Sequence, residues 1–303
     1  MEEKLLSVIM PSYNRKEFVS CAIDSVLNQS YKNVEIIVVD DCSSDGSFEM
    51  LTEKYGTNDK VILHRNEHNS GAGFNRKLGY SMSKGDYIVF MDDDDYYTNM
   101  DFLRHAVDIL EQMSNVGLVS SSSVIEYVQD NRFEEDWMNI EGLINNAEYL
   151  SEFQQKYMKS NSSFTTVFRR KALEDANFGE MEMVNDASIY MRALLAGDCY
   201  VLKEISGNYR VHTKNITFNL KTDFIIDNLV EKKRIHDEII KRNLLQDTDT
   251  WLKKQMLLTV RYFIINNNIG DEDMNKLTSW ISNNCGNVAE EINNELWEIY
   301  RSK

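Results

Sequence analysis

The chain has 303 residues, of which 42% are hydrophobic and 27% charged, and its formal net charge is -16. That length and apolar content support a large buried core, in one enlarged domain or one domain with an appendage, and exclude a disordered chain. So acidic a balance excludes non-specific nucleic-acid binding, which needs basic surface, but leaves room for an anionic ligand in a local basic pocket.

Leu6-Ser7-Val8-Ile9-Met10 reads as a first strand, and Pro11, the only proline, is expected to stop it. Helical spacing through Phe18, Ala22, Val26 and Leu27 predicts a helix over Arg15 to Asn28. A second strand, Val34 to Val39, ends in Asp40-Asp41, and the turn Ser43-Ser44-Asp45-Gly46 leads into a helix near Phe48 to Tyr55. Val61 to His64 makes a short third strand, followed by Asn69-Ser70-Gly71-Ala72-Gly73 and a helix over Phe74 to Ser83. Repeated βα units of this kind predict a mostly parallel sheet with helices on both faces. Beyond Val119 the pattern turns irregular: Ser120 to Ser123 is a polar run, Asn131 to Asp136 is charged, Phe164 to Phe168 reads as a strand and Asn185 to Ala196 as a helix. From Thr222 onward Ile225, Leu229, Ile235-Ile239-Ile240, Trp251, Met256-Leu257-Val260 and Phe263-Ile264 recur at helical spacing.

The apolar run Tyr87-Ile88-Val89-Phe90-Met91 ends in four consecutive aspartates, Asp92 to Asp95. A buried strand of an α/β sheet would deliver these carboxylates to the sheet's carboxyl edge, where such sheets bind ligands. Like charges so close repel unless a cation neutralises them, and hard oxygen ligands on a tight turn suit Mg²⁺ or Mn²⁺ shared with a diphosphate. A solvated acidic loop is the plainer alternative, but it does not explain so apolar a strand before the cluster. Cys21, Cys42, Cys199 and Cys285 show no paired spacing for zinc or redox chemistry. The first residues run straight into a strand-like segment with no leader pattern, and no apolar stretch is long enough for a bilayer. A cytoplasmic location is expected, peripheral attachment at the inner face of the membrane being compatible with it.

Four strings stand in order: Pro11-Ser12-Tyr13-Asn14-Arg15, Val39-Asp40-Asp41-Cys42-Ser43-Ser44-Asp45-Gly46, the stretch from Asn69 to Gly79, and the aspartate cluster. With them, roughly residues 5 to 215 resemble the family-two inverting glycosyltransferases of the GT-A fold. The resemblance implies an α/β, Rossmann-like, mostly parallel sheet flanked by helices, with a helical C-terminal extension. The implied division is 1–219 for the GT-A domain, its nucleotide-sugar half reaching about residue 119 and its acceptor half following, and 220–303 for the extension.

By this resemblance Asp94 would ligate the metal, with Asp92 and Asp93 toward the ribose and donor sugar. Pro11, Tyr13 and Asp41 would form the base pocket, Asp41 accepting the uracil N–H and Tyr13 lying against the ring. Arg15, Asn69 and Arg76 would also serve the nucleotide. Asp186 matches the catalytic base, and Asn185 replaces the acidic residue usual before it. In Tyr209-Arg210-Val211-His212, Arg210 would neutralise diphosphate charge and His212 would ligate metal or donate to phosphate. Each has a structural alternative: Tyr13 as a core aromatic, Asp40 as a helix-capping or turn carboxylate, Arg76 as a surface helix residue, Asp186 as a helix-dipole partner, His212 as a lone structural histidine.

The implied reaction transfers a sugar from a nucleoside diphosphate, UDP being the family's commonest, to an acceptor hydroxyl with inversion. The acceptor would be a saccharide, lipid-linked or protein group of the kind used in surface polysaccharide or glycoconjugate synthesis. A sugar nucleotidyltransferase would want a basic glycine-rich loop where Pro11-Ser12-Tyr13-Asn14 stands, and a non-catalytic nucleotide-binding module would leave the second half unexplained. The apolar stripes of the tail would pack on the catalytic domain, complete the acceptor side, or form a homodimer contact.

Overall fold

The computed structural model describes residues 3–213 and 220–303. Its contacts divide the chain into two compact units, one ending at His212 and one beginning at Thr213. Asn219, where the sequence pattern ended the first domain, lies outside the described residues.

In the first unit, strand β1 (Leu6–Ser12), helix α1 (Val19–Leu27), β2 (Val34–Asp40), α2 (Ser47–Tyr55), β3 (Val61–Arg65), α3 (Ala72–Met82) and β4 (Tyr87–Phe90) follow one another. β1, β2 and β4 are buried along their whole length, as strands covered on both faces must be, which is why they read as unbroken apolar runs. They pair in parallel, with β3 on the outer side of β2. α1 covers one face through Val19, Ala22, Ile23 and Val26, a single helical stripe. α3 lies against β1 and can do so only because residue 79 is glycine: a Cβ there would stand 2.5 Å from Ile9 Cγ2.

β5 (Tyr96–Tyr97), α4 (Phe102–Gln112), β6 (Val116–Tyr127), β7 (Arg132–Asp136), β8 (Gly142–Ile144), α5 (Asn146–Ser151), β9 (Thr166–Arg169), α6 (Arg170–Asp175), α7 (Asp186–Leu194) and β10 (Asp198–Val211) complete the unit. The sheet order is β3-β2-β1-β4-β9-β6-β10-β5, with β7 on β6 and β8 on β10. β9 runs antiparallel between β4 and β6, so the sheet is mixed but mostly parallel at its core.

Several sequence expectations need correction. Pro11 does not stop β1, which continues to Ser12. Amides and carbonyls of odd residues face β4, as Ile9 O accepting from Met91 N shows, while Ser12 O, facing β2, accepts from Asp41 N. β4 has ended at Phe90, so the N–H that Pro11 lacks would have had no strand to bond. α1 starts at Val19 and not at Arg15, because Asn14 has a φ of 53° and residues 15–18 form a separate turn. Phe164 belongs to a 3₁₀ turn, Ser163–Thr165, and the strand begins at Thr166. The region beyond Val119 is not irregular: the serine run is the middle of a twelve-residue strand, and Ser120 to Ser123 are all buried. Two of their hydroxyls have close polar neighbours, Ser120 Oγ meeting Thr166 Oγ1 at 2.9 Å and Ser122 Oγ accepting from Met138 N at 2.9 Å. Burial with local hydrogen bonds lets a polar run occupy a central strand, which hydrophobic periodicity cannot see.

The second unit is helical, as its spacing predicts: α8 (Thr222–Lys241), α9 (Thr248–Asn266), α10 (Asp271–Asn284) and α11 (Ala289–Ser302). Ile225, Leu229, Ile235 and Ile239 of α8 and Trp251, Met256, Val260, Phe263 and Ile264 of α9 are buried, whereas Ile240 is exposed on the far side of its helix. Among these apolar groups Lys232 is also buried, its Nζ donating to Gln255 Oε1 at 2.9 Å. Burial pushes the Lys232 ammonium down to about 7.

Candidate functional site

The parallel register brings the ends of β1, β2 and β4 to one edge, and the turns that leave them meet there. Asn14, in the left-handed region, receives Ser44 N on its Oδ1 at 2.8 Å, which ties the turn after β1 to the turn after β2. Asp40 is fully buried and accepts from Ser43 N at 3.0 Å, the work of a turn carboxylate. Asp41 accepts from Ser70 N and Asn66 Nδ2 on Oδ1, at 2.8 and 2.9 Å, and from Gly71 N on Oδ2 at 2.8 Å. Burial pushes Asp41 up, but these donors prevail and hold its carboxyl below the usual carboxylate range. Asp41 therefore shapes the glycine turn that opens α3. Pro11 is buried at this edge, while Tyr13 is 46% exposed and so is not a core aromatic. Asn69 is exposed on the rim of the same turn.

The four aspartates follow β4 in a tight turn closed by Asp95 N donating to Asp92 O at 3.3 Å. Asp92, Asp94 and Asp95 each offer one oxygen, all within 4.8 Å of one another. Arg15 Nε lies 3.8 Å from Asp93 and 3.7 Å from Asp94, and His212 Nε2 lies 2.9 Å from Asp94 Oδ2. His212 is buried and stacked on Phe18, with ring centroids 5.0 Å apart. Asp95 accepts from Ser162 Oγ at 2.6 Å and from Arg210 N at 3.2 Å. Arg210 also donates to Asp94 O, lies over the rings of Tyr96 and Phe18, and pairs with Glu126 at 3.5 Å.

Burial pushes Asp92, Asp93 and Asp95 above the usual carboxylate range, and the neighbouring carboxylates add to it, Arg76 opposing the effect at Asp92 and Arg15 at Asp93. Asp93 Oδ2 is buried without a hydrogen-bond partner among the described residues. Three converging hard oxygens, repulsion that no cationic side chain fully offsets, and an orphaned buried carboxylate oxygen all fit a divalent cation.

α3 carries Arg76 into the centre of this edge. Its buried guanidinium donates through Nη2 to Asp92 Oδ1 at 2.7 Å, lies 3.4 Å from Asp186 Oδ1 and reaches Val184 O through Nη1 at 3.3 Å. Burial would lower its pKa, but Asp92 and Asp186 outweigh that and raise it. Arg76 is thus no surface residue. Asp186 opens α7, and the residue before it is the helix N-cap: Asn185 Oδ1 accepts from Ser188 N at 2.9 Å, and Ser188 Oγ accepts from Asn185 N at 3.0 Å. An asparagine serves that cap as well as an acidic residue would.

The sequence reading missed the segment that faces Asp186 from the other side, Lys159-Ser160-Asn161-Ser162-Ser163. Ser163 Oγ donates to Asp186 Oδ1 at 3.0 Å. Lys159 Nζ donates to Ser160 O at 2.8 Å, and its ammonium is pushed down by burial against the attraction of Asp186 and Asp136. Glu126, which holds Arg210, was missed as well. No spacing or motif marks these residues. The structure brings together Arg15, Asp41, Arg76, Asp92 to Asp95, Asp186, Arg210 and His212, and leaves Tyr13 and Asn69 at the rim.

The sequence profile of glycosyl transferase family 2 matches residues 7–176. An uncharacterized glycosyltransferase of Haemophilus influenzae is 35% identical over 126 residues, which cover 42% of this chain and 41% of that protein. The GalNAc(5)-diNAcBac-PP-undecaprenol beta-1,3-glucosyltransferase of Campylobacter jejuni is 29% identical over 201 residues, 65% of this chain and 62% of that protein. Among solved structures, S. aureus TarS 1-349 in complex with UDP-GlcNAc superposes with a TM-score of 0.75 at 19% identity, covering 98% of this chain and 90% of that one. That likeness establishes a shared glycosyltransferase fold.

Proposed function

The chain belongs to glycosyl transferase family 2, and from that premise we propose that it moves a sugar from a UDP-sugar to an acceptor hydroxyl with inversion at the anomeric carbon. One observation carries the reading: the Arg76 guanidinium joins Asp92, at the cation-ready turn, to Asp186, the exposed edge of which faces outward. A single rigid group thereby sets the distance between the diphosphate side and the side from which an acceptor would approach. The acceptor oxygen attacks the anomeric carbon, the bond from that carbon to the diphosphate oxygen breaks with its electron pair leaving on the diphosphate, and Asp186 takes the acceptor's proton. Positioning of two substrates and compensation of diphosphate charge by Arg15 and Arg210 supply most of the acceleration.

Asp94, with Asp92 and Asp95, would hold Mn²⁺ or Mg²⁺, and His212 stands next to Asp94 as a further ligand. Such an ion supplies charge stabilisation to the departing diphosphate. Tyr13 is assigned to the uracil face, with Pro11 and Asn69 on the walls of the base pocket and Asp93 toward the donor sugar. For Asp41 the assignment is narrower, since Oδ1 is engaged by two donors and only Oδ2 has capacity left for a base N–H.

The name of the Campylobacter relative gives it an undecaprenol-linked saccharide, which supports a lipid-linked saccharide as acceptor here and a place at a membrane surface. No described helix is long and apolar enough to cross a membrane. The helical tail is assigned to the acceptor side or to a homodimer contact, which light scattering of the full chain tests. UDP release from a panel of UDP-sugars, with Mn²⁺ or with chelator, tests the central reading. Asp186→Asn should keep UDP binding and lose transfer; near-normal turnover in that variant would remove Asp186 as the base. Pyrophosphate release from UTP and a sugar phosphate would instead indicate a nucleotidyltransferase, and UDP binding no tighter than GDP would defeat the uracil assignment.

A further inference from the structure

Two adjacent hydroxyls connect the two acidic centres. Ser162 Oγ donates to Asp95 Oδ2 at 2.6 Å, and Ser163 Oγ donates to Asp186 Oδ1 at 3.0 Å. The turn that bears them is held in place from several sides. Thr165 Oγ1 donates to Ser162 O at 3.0 Å, Tyr97 Oη donates to Phe164 O at 2.7 Å, and Thr166 Oγ1 meets Ser120 Oγ at 2.9 Å inside the sheet. Ser162, Ser163 and Thr165 are all buried. The Ser163 hydroxyl is therefore a fixed donor, not a loop group that settles wherever Asp186 happens to be.

Both contacts to Asp186 fall on the same oxygen. Oδ1 takes Ser163 Oγ and has Arg76 Nη2 at 3.4 Å, whereas Oδ2 has no hydrogen-bond partner among the described residues. The Asp186 side chain is 23% exposed. A carboxylate held through one oxygen loses its freedom to rotate, and its other oxygen keeps lone pairs available for a proton.

We infer that Ser163 is a positioning residue for the transfer reaction: with Arg76 it fixes Asp186 by Oδ1 so that Oδ2 is the oxygen that receives the acceptor's proton. Ser162 anchors the same turn to Asp95, so the metal-ready cluster and the base are set by one rigid segment. The inference rests on the reading of Asp186 as the base, and the two fail in different ways.

The test uses the full chain with Mn²⁺ and two donors, UDP-glucose and UDP-N-acetylglucosamine, together with the ¹³C carboxyl resonance of Asp186 at pH 7, assigned from Asp186→Asn. Ser163→Ala should lower kcat about tenfold, the size of one net hydrogen bond, with donor KM within about twofold. It should also move the carboxyl resonance, since the hydrogen bond to Oδ1 is lost. Ser163→Thr, which keeps the hydroxyl, should restore both. In the Asp186→Asn background, Ser163→Ala should cost nothing further. An unchanged resonance with an unchanged kcat, a loss confined to KM, or full additivity in the double variant overturns the positioning role. Turnover retained by Asp186→Asn overturns the base assignment instead. The resonance needs no donor and reads the contact of Ser163 with Asp186 even if neither sugar is transferred.

Discussion

Replacing Arg76 by methionine removes the one cation among the described residues that touches both Asp92 and Asp186. The guanidinium is 8% exposed and lies 2.7 Å from Asp92 and 3.4 Å from Asp186. At an effective dielectric constant near 20, those contacts carry about 6 and about 5 kcal/mol of gross Coulomb attraction, most of which is offset by desolvation of the three groups. Because the Asp92 and Asp186 side chains are 36% and 23% exposed, water screens part of this attraction, and the net loss expected is roughly 1–3 kcal/mol. The loss should depend on pH in a defined direction. Burial already raises the folded-state pKa of Asp92 and Arg76 opposes that, so without Arg76 it rises further, the folded variant binds more protons than the unfolded chain, and its stability falls as pH rises toward 7. The deficit against the parent should therefore shrink on acidification to about pH 5. Urea unfolding with hydrogen exchange read in the peptides covering Leu6–Ser12 and Tyr87–Phe90 reports the first unit alone. A loss under about 1 kcal/mol, or one that stays constant between about pH 5 and pH 7, would refute the claim that Arg76 offsets the burial of Asp92.

Three further outcomes are expected. Asp94→Ala should abolish the Mn²⁺-dependent part of UDP binding in calorimetry while leaving the fold intact, and it relieves repulsion in the cluster when no ion is bound; unchanged affinity removes Asp94 as a ligand. Asp41→Asn replaces one of the two accepting oxygens by an amide donor, which must then face either Ser70 N or Gly71 N, and should cost roughly 1–3 kcal/mol at pH 7. Because the folded pKa of Asp41 is depressed, its contribution is present above the unfolded value and is lost as pH falls through the folded one, so parent and variant should converge in acid unfolding below about pH 4. Lys232 titrates at about 7 when folded and near 10.4 when unfolded, so the unfolded helical unit binds the extra proton between these values and stability rises with pH across that window, by up to about 5 kcal/mol. Lys232→Met should flatten that rise and stabilise the unit at neutral pH by roughly 1–4 kcal/mol, read from exchange in α8 and α9 peptides.

The sequence by itself determined the parallel half of the sheet, the four strand-end strings and the helical tail. Those features are written in local chemistry: apolar runs for strands buried on both faces, glycines at the turn before α3, and helical stripes after Thr222. It also marked Asp92 to Asp95, Asp41, Arg76 and Asp186 as candidates, through strings that resemble those of family two and stand in the same order along the chain. What only the tertiary structure decided is which of these groups touch. Arg76 and Asp186 are far apart in sequence, and nothing local says that one guanidinium joins Asp186 to Asp92. The central strand β6 was hidden because a run of buried serines, some hydrogen-bonded within the fold, looks like a polar loop to any periodicity. Pro11 was misread as a stop because whether a missing N–H matters depends on where the neighbouring strand ends. Ser162 and Ser163 were invisible for the same reason: a hydroxyl acquires a role from the carboxylate that folding places beside it, and serine alone carries no such signal.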